Sequence, residues 1–178
     1  MPILSPRFTE SYLGEFVYGA IDGAITTFAI VAGAAGANLS SSIVLILGFA
    51  NLFADGFSMA ASNYLSTKTK LEILSKKGHE HPEVRPTKTA VVTFGSFFAI
   101  GFIPLISYVA GLFFPAIKDN QFEIAIVLTG LAFFTVGSIK AKVAKKSLVS
   151  STTETLLLGG AAATIAYFVG AFLRSIVG

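Results

Sequence analysis

The sequence predicts an all-α membrane protein with five transmembrane helices, the N-terminus cytosolic and the C-terminus on the opposite side. Three observations predict it. Of 178 residues, 53% are hydrophobic and 13% charged, against about 25% charged in a soluble domain. Such a chain lacks the polar surface to face water all round, and its mean hydropathy of +0.75 agrees. Five stretches approach the roughly 20 mostly apolar residues that a helix needs to cross a hydrocarbon core about 30 Å thick. The cationic residues collect on alternate connections between those stretches.

In chain order, the predicted helices run over residues 16–37, 43–66, 89–114, 122–139 and 155–176. The first two are joined by the short uncharged turn 38–42, whose serines are suited to cap the second helix. A polar loop, 67–88, precedes the third helix. That helix carries Pro104 near Gly101. Proline removes one backbone bond and displaces the carbonyl four residues back, so a kink is expected, with a structural bend favoured over a moving hinge. The last connection, 140–154, ends in a Ser/Thr run.

The N-terminus, the 67–88 loop and the 140–154 connection must share one side of the bilayer. They carry Arg7, Lys68, Lys70, Lys76, Lys77, Arg85, Lys88, Lys140, Lys142, Lys145 and Lys146, while the other side carries Lys118 and Arg174. Cytosolic loops carry the excess of Lys and Arg, which orients the chain. Residues 1–15 contain Pro2, Pro6, Glu10 and Glu15 and no apolar run, so no cleaved signal peptide is expected. The absence of Cys excludes disulfides and thiolate metal sites. No basic, aromatic-interleaved stretch points to nucleic acid, and no nucleophile–base constellation points to an enzyme. Small residues are dense: Gly19 and Gly23 form a GxxxG pair, and runs occur at 32–37 and 159–163. They serve either ordinary helix packing or a homodimer seam on the first helix.

Two acidic residues, Asp22 and Asp55, fall well inside the apolar segments. A charge at the bilayer centre costs about 2.5–3.5 kcal/mol on insertion scales. Neither has a Lys or Arg at membrane depth in its own helix, so another cation, a metal ion or a proton, is expected to neutralise them. On the second helix Asn51, Asp55, Met59 and Asn63 recur every fourth residue. Each such step drifts about 40° around a helix, which makes a slowly winding stripe. Depth measured from the cytosolic helix ends places Asp22 and Met59 in one layer. Met59 is either core filler or a ligand. Carboxylate with thioether suits Fe²⁺ better than Mg²⁺ or Ca²⁺. Glu15 precedes the first helix. In the 67–88 loop, Glu72, His79, Glu80, His81 and Glu83 are either a capture site at the cytosolic mouth or a solvated loop, the latter favoured.

Taken together these residues resemble the vacuolar iron transporter (CCC1) family. The likeness is carried by residues 15–37 (EFVYGAIDGAITTFAIVAGAAGA), 45–66 (LILGFANLFADGFSMAASNYLS), 153–170 (TETLLLGGAAATIAYFVG) and the lysine-rich 138–147 (SIKAKVAKKS). The resemblance implies a five-helix homodimer with its pathway at the subunit interface. It implies export of Fe²⁺ or Mn²⁺ from the cytosol against a flow of protons, with metal and protons as cargo and no cofactor. It matches Asp22 and Met59 to pathway residues and Glu15 to an acidic position at the mouth. The chain departs from the pattern in two places. The loop 67–88 stands where plant-type members carry a cytosolic metal-binding domain. Asn51 stands where some members have Glu, and Asp55 offers a carboxylate one turn later. The short form points to a prokaryotic plasma membrane rather than a vacuole. A passive cation channel and a non-transporting metal sensor are the alternatives.

Overall fold

The computed structural model describes residues 6–77 and 84–177, with side chains from Tyr12 onward, Val143 excepted. Seven α-helices occur among them: α1 Pro6–Gly36, α2 Ser41–Lys76, α3 Pro86–Gly101, α4 Ile106–Phe113, α5 Pro115–Lys118, α6 Gln121–Ala144 and α7 Leu148–Val177. A 3₁₀ turn at Ile103–Leu105 links α3 to α4, so the two act as one kinked span. Five spans are long and apolar enough to cross a membrane, as expected.

The helices overrun their apolar segments. The second was expected to stop at residue 66, yet α2 continues to Lys76, through half of what the sequence assigned to a loop. Its 36 residues measure about 54 Å, well beyond a bilayer core. Hydropathy marks where lipid ends; it does not mark where backbone hydrogen bonding ends. The tail TKTKLEILSK holds good helix formers, with Glu72 four residues from both Lys68 and Lys76. In the same way α1 begins at Pro6 rather than 16, and α7 at Leu148 rather than 155.

The α1–α2 turn is tight. Asn38 takes a left-handed φ of 55°, which Asn tolerates. The Leu39 amide then bonds back to the Ala34 carbonyl at 2.9 Å, which closes the end of α1. Ser40 occupies the N-cap position of α2, but its side chain makes no capping bond. Ser41 instead donates to Gln121 Oε1 at 2.6 Å. Pro104 is buried, and the chain passes it with a three-residue bond, Leu105 N–H to Phe102 C=O at 3.0 Å. The break is a packed structural kink.

Helix α1 is the most buried span and α7 the least. The glycines of α1 explain its central place. A Cβ on Gly19 would strike Ser96 and the Thr93 carbonyl, and one on Gly23 would strike the Phe97 backbone. The GxxxG pair is therefore filled by α3 of the same chain. Further along, Gly33 and Gly36 meet α7 at Ala166, Tyr167 and Gly170. A core of Phe28, Val31, Val44, Leu52, Met59, Phe97, Leu105 and Tyr108 fills the space between.

Candidate functional site

The α1–α2 seam differs from the glycine seams. Here side chains meet, and they are polar. Asn51 Nδ2 donates to Thr26 Oγ1 at 3.3 Å, and Thr26 Oγ1 donates to the Asp22 carbonyl at 2.8 Å. The first of these bonds sets the register of the antiparallel pair. One turn back from Thr26 stands Asp22, and one turn on from Asn51 stands Asp55, so the two acids share a layer. Their carboxylates lie close enough to interact electrostatically. Both are half-buried.

This register sets Asp22 level with Asp55, where the count from the cytosolic helix ends sets it level with Met59. Met59 lies one turn, about 6 Å, nearer the lysine-rich end. It is buried in the core cluster with Phe97 and Leu52. The drift of the four-residue stripe explains the change. Asn51 faces Thr26 on α1, but Asn63, three steps and about 120° further round, donates to Thr93 Oγ1 on α3 at 2.6 Å. Met59 falls between the two directions, in the core. The expected depth also shifts. Asp22 is sixteen residues from Pro6 and fourteen from Gly36, the ends of α1. That puts it about 24 and 21 Å from them, near the middle of the helix.

Glu15 is half-buried on α1, seven residues before Asp22. Glu72 is exposed on the protruding end of α2. His79, Glu80, His81 and Glu83 lie outside the described residues. Among the described residues no three His, Asp or Glu side chains gather into a metal-holding cluster. The one salt bridge among them is Lys140–Glu154 at 2.8 Å, remote from the Asp pair. It gives Glu154, in the second turn of α7, a partner on α6.

Gln121 was not singled out from sequence. It is buried, accepts from Ser41 through its side chain, and accepts from Ser107 Oγ through its backbone carbonyl at 2.7 Å. It thereby ties α2, α4 and α6 together at the end of the bundle opposite the lysines. At the lysine-rich end, Tyr12 is buried and its hydroxyl accepts the Arg85 N–H at 3.0 Å, joining α1 to the start of α3.

A profile of the VIT family matches residues 13–83 and 71–171, nearly the whole chain. The chain belongs to the VIT family. Among similar proteins, the vacuolar iron transporter of Toxoplasma gondii is 28% identical, covering 96% of this chain and 77% of that protein. The vacuolar iron transporter of Plasmodium berghei is 25% identical over 93% and 84%. Vacuolar iron transporter 1 of Eucalyptus grandis is 26% identical over 90% and 86%. The Toxoplasma alignment spans 232 positions, more than the 178 residues of this VIT chain. That relative therefore carries residues inside the aligned region that this chain lacks, in keeping with a short form.

Proposed function

We propose that this VIT protein exports a divalent transition metal, Fe²⁺ or Mn²⁺, from the cytosol in exchange for protons. The observation that carries the reading is the Asp22–Asp55 pair, two half-buried carboxylates at one level near the middle of α1 and α2, neither in an ion pair with Lys or Arg among the described residues. Two like charges in a low-dielectric slab repel each other, and each costs free energy on its own. A divalent cation between them removes both penalties. The names of the relatives agree with iron as cargo.

Two carboxylates are a small ligand set. A second copy of the chain, with its own Asp22 and Asp55 against the first, would complete a site between protomers. The glycine pair of α1 is already occupied by α3 of the same chain, so a seam between protomers would use another face. Metal enters from the lysine-rich, cytosolic end past Glu15 and passes the layer of Met59. Protons arriving from the far side compete for the same carboxylates, because metal binding requires their deprotonated form. The short α2–α3 connection favours the plasma membrane of a prokaryote as host.

The test is Fe²⁺ and Mn²⁺ uptake into proteoliposomes with and without a proton gradient, for wild type and Asp22→Ala. Gradient-driven uptake abolished by the substitution supports the antiporter. Uptake indifferent to the gradient replaces it with a passive channel. No uptake of either metal overturns the transport reading in favour of a sensor.

A further inference from the structure

We infer that Thr26 is a positioning residue that presents Asn51 Oδ1 to the transported cation as a neutral oxygen ligand. The inference rests on the metal-site reading above, takes Asn51 as one of the ligands expected from sequence, and goes beyond it in naming the group that orients that ligand.

The argument is proton bookkeeping around one hydroxyl. Thr26 Oγ1 lies 2.8 Å from the Asp22 backbone carbonyl oxygen and 3.3 Å from Asn51 Nδ2. A hydroxyl has one proton to give, and a carbonyl oxygen can only accept. The Thr26 proton therefore goes to the Asp22 carbonyl, and only lone pairs remain for Asn51. The asparagine can satisfy them solely by turning its NH₂ group toward Thr26. Which way an Asn amide points is normally open; here the network decides it. The consequence is that Oδ1 faces away from Thr26. Among the described residues none donates to it.

An amide oxygen without a donor at membrane depth is costly. Its position supplies the reason to keep it. Asn51 is one turn from Asp55 on α2, and Thr26 is one turn from Asp22 on α1. The amide oxygen thus borders the carboxylate layer. Amide and carboxylate oxygens together are a suitable donor set for Mn²⁺ and acceptable for Fe²⁺. The amide adds a donor atom without a third negative charge in the low-dielectric interior. Thr26 touches no cargo itself. Its effect passes through the orientation of Asn51.

The experiment uses the full chain in two formats: Mn²⁺ binding in detergent, read from the loss of the free-ion EPR signal, and Fe²⁺ uptake kinetics in proteoliposomes. Thr26→Val keeps the shape and removes the hydroxyl; Thr26→Ser keeps the hydroxyl and removes the methyl. The expected result is that Thr26→Val weakens Mn²⁺ binding about tenfold and raises KM for Fe²⁺ by a similar factor, the scale at which second-layer partners tune a metal site. The maximal rate should stay near wild type, Thr26→Ser should restore affinity, and Thr26→Val should add nothing once Asn51 is Leu. Wild-type affinity in Thr26→Val overturns the inference, as does a Thr26→Ser variant no better than Val, which would assign the effect to packing. A wild type that binds no Mn²⁺ overturns it too. Binding that responds to Thr26 without any transport leaves the inference standing and overturns the transport function instead.

Discussion

Helix α1 joins α3 and α2 by seams of opposite chemistry. Toward α3 it offers Gly19 and Gly23, and the Phe97 backbone and Ser96 fill the space that side chains would take. Toward α2 it offers Thr26, which meets the Asn51 side chain, and Asp22, which stands level with Asp55. The first seam gains from close van der Waals approach and needs nothing else. The second sets two carboxylates at one level, which the proposed reading completes with a cation. One helix thus packs tightly by its glycines on one side and presents polar side chains on the other. Rigid packing and a costly polar site sit on adjacent faces, and the rigid seam fixes where the acids stand.

Substitutions on the two seams should separate stability from transport. The largest effect is expected for Asp55→Asn, which should bring metal uptake to the level of empty liposomes. Without metal the variant should melt at or above the wild-type temperature, since an unpaired charge in the membrane has been removed; a clear drop in melting temperature would make Asp55 structural. Gly23→Val should do the reverse. Overpacking against Phe97 costs about 1–3 kcal/mol, occasionally more, seen as a lower melting temperature or loss of a monodisperse peak. Gly14→Ala, where nothing lies within 4 Å of the added methyl, is the control and should melt like wild type.

A smaller effect is expected at the far end of the bundle. Gln121→Ala leaves the Ser41 hydroxyl without its acceptor and should lower stability by about 1 kcal/mol, with KM for Fe²⁺ unchanged. A raised KM there would extend the site beyond the α1–α2 seam. The smallest is Lys140→Ala. The Lys140–Glu154 bridge lies at the surface, where exposed ion pairs contribute little, so melting temperature and uptake should both match wild type.

The two acids were legible in the sequence because charge within an apolar run has few innocent explanations. Their partnership was legible less fully. Counting depth from the cytosolic ends levels Asp22 with Met59, whereas the Thr26–Asn51 bond levels it with Asp55. The tight turn was the better origin. Asp22 stands fourteen residues before Gly36, and Asp55 fourteen after Ser41, the helix ends that flank it. Counted from there, the antiparallel pair brings the two acids level. Gln121 left no comparable signal. A glutamine at the start of a helix looks like any interfacial residue until Ser41 and Ser107 are seen to converge on it.

By itself, the sequence determined the number of spans, their order, the presence of the kink at Pro104 and the two charges that the membrane would otherwise exclude. These follow from hydropathy, proline geometry and the cost of burying charge, all local properties of the chain. Only the tertiary structure decided which face of α1 meets which neighbour. It placed the GxxxG pair against α3, sent Met59 into the core, set Asp55 level with Asp22 and turned the Asn51 amide toward Thr26. Those choices depend on how several helices share one crowded volume. A stripe drifting 40° per step passes from one neighbour to the next, and no single helix records where its neighbours stand.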